Sequence, residues 1–375
     1  MKKNFSLKTF LIMPVVVTLS VGMTLLIFLN YLVYESLIRE EREKIESIVN
    51  IVQVYLETAT MHYQKMAALV AHMPDVQEAV SKKDRNRLID KFLSSFNYLR
   101  DNFDLAQIHF HIPPAVSLLR LHNIEHFGDD ISKNRKTVVQ VEATQKGVRG
   151  FEIGLGGAGL RGVEPIFYRD TYVGSVDFGG GMKKEVEQIK KLIDAEVGIA
   201  IRKELLSSWT GLKDIKHSFG EWISLHFTGK EPKLFISEKS LKTAESSIDK
   251  YHIDRVSISG KDYTIIYSPL KDFSGNKAGF VYIVKEKILS SNTVFTILGI
   301  NLIVYIIMLI LSVLLIRKVM NRYIIEPIVT LINITDEIST GRTSQKVSIV
   351  DSKGEITELV NAIEKVRISM RKLFQ

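Results

Sequence analysis

Four histidines fall within 18 residues: His109, His111, His122 and His126. Imidazoles at such density either ligate a metal ion or line a polar pocket. The segment offers no carboxylate pair beside them to complete a metal site, so the expectation is pocket lining and no metal. Three arginines, Arg120, Arg149 and Arg161, come from three successive elements expected to converge. A guanidinium fork grips a carboxylate bidentately. The competing use of these forks is structural pairing with Glu142, Glu152 or Glu164. Asp177 lies near the end of a strand-like run. A hairpin turn at Arg169-Asp170 sets Tyr172 against Phe167 and Asp177 against Gly162. Glu164 and Asp177 then share one face, and Val163, Phe167, Tyr172, Val176 and Phe178 share the other. Asp177 is expected to meet either a ligand or a structural hydrogen-bond donor.

The elements that position these groups are readable by periodicity. Leu105 to Ile112 alternates as a strand, with Ile108, Phe110 and Ile112 on one face and His109 and His111 on the other. Pro113-Pro114 ends it. Ser117 to Asp130 reads as short helix and loop, and Lys136 to Gln145 as a helix. Val148 to Ile153 is a strand. Gly154 to Gly159 is a flexible loop that joins two strands, whereas a phosphate cradle joins a strand to a helix N-terminus. Upstream, Leu37, Ile45, Ile48, Ile51, Val52, Tyr55 and Leu56 mark one stripe of a long helix that ends before Pro74. Helices follow from Asp75 and from Asp84 to Arg100. Beyond a helix from Lys183 to Ala195 the pattern restarts. Strands are expected at 197–201, 252–259, 263–269 and 278–284, with Trp209 and Trp222 as core.

Two stretches bound this middle region. Leu11 to Tyr34 and Val294 to Ile316 run 24 and 23 residues without a charged side chain. At about 1.5 Å rise per residue, each is long enough to cross a hydrocarbon core of about 30 Å. The first is too long for the apolar core of a signal peptide and continues helically, so it is expected to stay attached. Lys2, Lys3 and Lys8 precede the first span, and Arg317, Lys318 and Arg322 follow the second; the inner flanks, from Glu35 to Glu41 and from Lys285 to Lys287, are mixed. Both termini are therefore expected in the cytoplasm, with the middle outside. The net charge of +8 divides into +3 on each terminal segment and +2 on the middle, so nucleic acid is not expected as a partner. The absence of cysteine rules out disulfides, thiolate catalysis and Cys-ligated zinc.

Six blocks in order carry a family resemblance: His109-Phe-His-Ile-Pro-Pro-Ala, Leu119-Arg-Leu-His122, Phe127-Gly-Asp-Asp130, Arg149-Gly-Phe-Glu-Ile-Gly154, Leu160-Arg-Gly-Val163 and Val173-Gly-Ser-Val-Asp-Phe178. Together they resemble the double Cache sensor domains of chemoreceptors and sensor histidine kinases, over roughly residues 40–285. After the second span the chain resembles a HAMP linker. Ile324, Ile328, Leu331, Thr335 and Ile338 make one heptad stripe, and Ile356, Leu359, Ile363, Val366, Met370 and Leu373 a second. Thr343 stands where that family carries a connector hydrophobe; Val347 fits the second such position.

The resemblances imply an α+β membrane protein. Its parts are a cytoplasmic tail at 1–10 and transmembrane helices at 11–34 and 293–316. Between them, residues 35–292 form an extracytoplasmic double Cache domain of two PAS-like modules on a long N-terminal helix. The distal module is expected at 75–180 and the proximal one at 196–285, with a HAMP linker at 317–375. The implied activity is that of a chemosensory receptor in the inner (plasma) membrane, not an enzyme and without cofactor. It would bind a small organic acid or amine through His109, His111, Arg120, His122, Arg149, Glu152, Arg161 and Asp177, with Asp177 placed like the ammonium acceptor of amine-binding relatives. The Arg-Trp-Tyr run of amino-acid-binding members is missing. The implied assembly is a homodimer that relays to a cytoplasmic signalling module or kinase partner. The alternatives are the sensor portion of a histidine kinase or cyclase, and a membrane adapter that senses a protein. No methylation coiled coil, kinase core or cyclase follows in this sequence, so the expectation is either a fragment or an output supplied by a partner.

Overall fold

A computed structural model describes residues 7–206, 209, 217–247, 250–286, 291–348 and 354–373. Of the flanking charges used above for orientation, Lys2, Lys3 and Lys287 lie outside the described residues. The chain divides into two compact units, one formed by Met1–Glu40 with Leu289–Gln375 and the other by Glu41–Ile288.

The larger unit holds two antiparallel sheets and the C-terminal part of helix α1 (Leu7–Ala71). Pro74 cannot continue a helix but suits the first turn of a new one, and α2 (Pro74–Ser81) starts there. Asp84 caps α3 (Arg85–Phe103) by accepting the Arg87 backbone N–H at 3.1 Å. The distal strands are β1 (Leu105–Ile112), β2 (Val116–Arg120), β3 (Val148–Gly154), β4 (Gly157–Tyr168) and β5 (Thr171–Gly181), in the order β2-β1-β5-β4-β3. One face carries Ile108, Phe110, Leu119, Ile166, Val176 and Phe178 into a core shared with α1, α2 and α3. The other face is covered by α4 (Lys136–Thr144) over a small cluster of Ala115, Ile131, Val138, Val141 and Val163. The proximal sheet follows α5 (Met182–Ile193). Its strands β6 (Glu196–Arg202), β7 (Ser218–Phe219), β8 (Trp222–Leu225), β9 (His252–Ile258), β10 (Lys261–Lys271) and β11 (Lys277–Glu286) run in the order β7-β8-β6-β11-β10-β9, with α6 (Glu238–Ser246) between β8 and β9. Buried Trp222 stacks near Phe280 in its core, 5.5 Å between ring centroids. Phe273 N–H donates to Phe151 O at 3.0 Å between the modules. The chains meet so closely there that a Cβ on Gly150 would sit 2.7 Å from the Phe273 Cα.

Three local expectations are corrected. Val116 to Arg120 is a strand, not helix or loop; four of its five residues are buried, so both faces are covered and no alternation betrays it. The glycine stretch is a tight hairpin with Gly154 paired to Gly157, and Ala158 and Gly159 already belong to β4. Asp177 pairs with Val163 rather than Gly162. A bulge between Ile166 and Phe167 adds a residue after the correctly placed Phe167–Tyr172 pair. A one-residue slip exchanges faces, so Val163 joins Asp177, and Glu164 goes to the opposite face beside Gln64 of α1, 2.7 Å away.

In the smaller unit, α1 and α7 (Ser291–Met320) are each long and apolar enough to cross a membrane, with mean hydropathy of 2.1 and 2.8 in their most apolar windows. Asn301 Nδ2 donates to Asn30 Oδ1 at 2.6 Å. A π-turn at Asn321–Ile325 connects α7 to α8 (Glu326–Ser339), and α9 (Glu355–Leu373) packs on α8. Their shared core is Leu331, Ile338, Val347, Ile356 and Val360. Thr343 is buried, and its carbonyl accepts from Arg367. Glu364 accepts the Val347 N–H at 2.9 Å and Arg367 Nε at 2.8 Å, which hold its carboxyl down at about 2. The second expected stripe faces α8 only in part, because Leu359 and Val366 are 44% and 57% exposed.

Candidate functional site

Strand register builds the site. On β1, His109 lies between Arg120 of β2 and Asp177 of β5; His111 lies between Ser117 and Ser175. Cross-strand partners share a face, so these six side chains form two adjacent rows on the α4 side of the sheet. Arg161 of β4 pairs with Gly179 and so falls on this same face, beside the Asp177 row. Its guanidinium occupies the space above Gly179, where a Cβ would meet Nη1. Glu152 pairs with Gly159 and faces the same way.

The groups are buried, and most atoms are held. Asp177 is 0% exposed. Its Oδ2 accepts from Arg135 Nη2 and Gln107 Nε2. Arg135 Nε donates to Glu152 Oε2 at 2.9 Å, and Glu152 also accepts the Thr137 N–H at 2.8 Å and its hydroxyl at 2.9 Å. Ser117 Oγ lies 2.8 Å from His109 Nε2, and Ser175 Oγ lies 3.0 Å from His111 Nδ1. The two imidazole centroids are 4.0 Å apart, and His122 approaches His109 edge-on at 6.2 Å. Four buried atoms of this cluster have no partner among the described residues: His111 Nε2, Asp177 Oδ1, and Arg161 Nε and Nη1. An unmet donor or acceptor in a protein interior costs about 1–3 kcal/mol, more for a charged group. The four lie together on one sheet face.

Arg120 and Arg149 depart from expectation. The Arg120 fork is bidentate on Asp129, at 2.7 and 2.8 Å, rather than on any of the three glutamates considered as structural partners. Arg149 pairs with Gly162 on the face opposite the histidines, so the three arginines do not converge. It donates to Glu57 and Gln64 of α1, the latter at 2.9 Å. His122 is exposed at the edge of the cluster. Sequence reasoning missed Arg135, Gln107, Ser117 and Ser175. Arg135 precedes α4 at a position with no periodicity to betray it, and the serines are visible only once β1 is paired with β2 and β5. Asp129 stood in one of the motif blocks, without an assigned role. The open groove of 1130 Å³ lined by Arg42, Gln53, Tyr251, Lys271 and Lys277 holds none of the eight candidate residues.

The family model dCache_3, a double sensory domain of two-component sensor kinase, matches residues 38–288. The chain belongs to this double Cache family. No curated protein matches it. Among solved structures, the double Cache domain is similar to the sensory domain of the Campylobacter jejuni chemoreceptor Tlp3, at 10% identity and a TM-score of 0.42 over 69% of this chain and 97% of that one. The same Tlp3 domain in complex with L-valine matches at 11% identity and a TM-score of 0.42, over 69% and 96% of the two chains. The Vibrio cholerae histidine kinase DctB sensor domain matches at 12% identity and 0.40, over 68% and 99%.

Electrostatics give the double Cache domain a definite acid response. Burial pushes both imidazoles down, His109 well below the usual range and His111 to about 3, with Arg135 and Arg120 adding repulsion. Burial alone would raise Asp177, but Arg135, Arg161 and His111 hold it below the ordinary carboxylate value. An unfolded imidazole titrates near 6.5. Below that pH the unfolded chain takes up protons that the folded chain refuses. The histidine contribution is thus complete above about 6.5 and is lost as pH falls, with a slope up to about 1.4 kcal/mol per pH unit for each histidine. Asp177 acts with the same sign at lower pH. The unfolding midpoint is expected to drop steeply from pH 6.5 to 4.5, and His111→Gln to flatten that slope. An equal slope in the variant removes the imidazole from the account.

Proposed function

We propose that this chain is a transmembrane chemosensory receptor that binds a small extracytoplasmic ligand in its distal module. Binding is relayed through α7 to α8 and α9. The observation that carries the reading is the set of four unpartnered buried atoms around Arg161, Asp177 and His111. Enclosed polar groups of this kind fit a small molecule, whereas recognition of a protein uses an exposed apolar face. Arg161 offers two donors to an anionic group such as the carboxylate of an organic acid. Asp177 Oδ1 takes a hydroxyl or an ammonium. No catalytic step is assigned to these residues.

On this reading the protein sits in the inner (plasma) membrane with both termini in the cytoplasm, and two helices long and apolar enough to cross a membrane support it. The basic flanks Arg317, Lys318 and Arg322 support that orientation. Reporter fusions are expected to place residues 100–250 outside and residue 345 inside; cytoplasmic reporters in the middle segment sink the reading. The α8–connector–α9 unit works as a HAMP linker in a homodimer, delivering the signal to a cytoplasmic signalling module or kinase partner. Its helix pair buries one apolar seam and leaves Leu359 and Val366 open.

A thermal-shift screen of the detergent-solubilised chain against small organic acids and amines tests the ligand reading. A true ligand raises the midpoint by mass action. A shift that survives Arg161→Met belongs to a different site.

A further inference from the structure

We propose that His109, His111 and Asp177 form a binding site for one divalent first-row transition-metal ion. Each residue offers a ligand atom, all three are buried, and these atoms lie within 4.8 Å of one another. Donors on one tetrahedral ion, at about 2.0–2.2 Å from it, stand about 3.3–3.6 Å apart, so closing the cluster draws its widest pair together by up to about 1.5 Å, shared between the side chains. Among the described residues this is the group of His, Asp and Glu side chains with that geometry.

The surroundings resemble the outer shell of a metal centre. Metal-bound imidazoles are oriented by a partner on the other ring nitrogen, and metal-bound carboxylates by donors on the other oxygen. Here Ser117 holds Nε2 of His109, Ser175 holds Nδ1 of His111, and Arg135 with Gln107 hold Oδ2 of Asp177. That leaves Nδ1 of His109, Nε2 of His111 and Oδ1 of Asp177 for the ion. The last two have no partner among the described residues. The expectation of no metal rested on the lack of a carboxylate pair near the histidines in sequence and on the family resemblance, which implies organic ligands. The β1–β5 register supplies a carboxylate directly opposite His109.

Two imidazoles and one carboxylate suit Zn²⁺, Co²⁺, Ni²⁺ or Fe²⁺ and leave at least one coordination position open. Charge decides what fills it. Arg135 is matched by Glu152 and Asp177, and Arg120 by Asp129. Among the described residues Arg161, on the same face, makes no direct ion pair, so ion and guanidinium together call for an anion. The carboxylate of the sensed ligand then bridges them; this clause rests on the ligand reading above, while the metal site stands without it.

The test uses the full chain in detergent, stripped with EDTA and titrated with Co²⁺, whose visible d–d absorption reports protein coordination. One equivalent is expected to bind, Zn²⁺ to displace it, and His111→Gln to abolish the band. Ser175→Ala keeps all three ligands and is expected to weaken binding about tenfold or more through lost orientation. His72→Gln, an exposed histidine elsewhere, leaves the band unchanged. No band in the folded wild-type protein, or a band that survives His111→Gln, overturns the site. Running the organic-ligand screen in EDTA separates the two readings: a metabolite that shifts the stripped protein keeps the receptor reading while the metal fails.

Discussion

Replacing Arg161 with methionine is expected to weaken ligand binding by one to two orders of magnitude while leaving the protein folded, and no less stable than before. The guanidinium is buried, its Nε and Nη1 lack partners, and burial together with Arg135 lowers its pKa. A charge held this way is a liability in the ligand-free protein. A well-packed apolar side chain of similar length relieves it, by about 1–3 kcal/mol. The same change removes a charged hydrogen-bonding fork from the ligand, a loss of about 1.5–3 kcal/mol, or roughly 10- to 150-fold in Kd. Asp177→Ala has the opposite profile. It strips Arg135 of one of its two carboxylates and removes the acid that most favours the charged form of Arg161, and it is expected to destabilise the fold by about 3–5 kcal/mol. Chemical denaturation and calorimetric titration of both variants check the pair. If Arg161→Met unfolds as readily as Asp177→Ala, Arg161 is structural. If it binds ligand normally, the anionic group lies elsewhere.

That contrast was only partly legible in the sequence. Arg161 and Asp177 stood out by type, and the alternation of β1 put His109 and His111 on one face. What joins them is strand order. β1 inserts between β2 and β5, a pairing over about 70 residues that no local pattern encodes, and it places Asp177 opposite His109. The bulge at Ile166 and Phe167 is equally silent, yet it decides which face Asp177 occupies. Arg149 shows the reverse error. It stands three positions before Glu152 along β3, an odd separation that puts it on the opposite face, so it faces α1 and pairs with Glu57. Helix limits were easier, because Pro74 and Asp84 act on their own neighbours. The buried strand β2 was hard, because a strand covered on both sides has no polar face to alternate with.

Leu359→Asp is expected to dissociate a dimer while leaving the α8–α9 pair folded. Within one chain, α9 turns Ile356 and Val360 toward Leu331 and Ile338. Leu359 and Val366, two members of the heptad stripe, are left at 44% and 57% exposure, and Val329 and Ile332 on α8 at 50% and 57%. A two-helix unit this short cannot cover both seams, and in the homodimer proposed above a second copy in parallel would close them as a four-helix bundle. Burying each leucine in such a seam contributes about 1.5–3 kcal/mol, so changing both copies costs the dimer about 3–6 kcal/mol. Leu331→Asp differs because Leu331 is buried within the chain; it is expected to lose helical signal as well as the dimer. Size measurement in detergent with circular dichroism separates the two variants. Single cysteines along 359–370 of this cysteine-free chain add a geometric readout: crosslinks are expected to peak at 359 and 366, one heptad apart, and to fall at 360 and 367, which face inward. A flat crosslinking profile, or a Leu359→Asp protein that remains dimeric, removes the second copy from the relay.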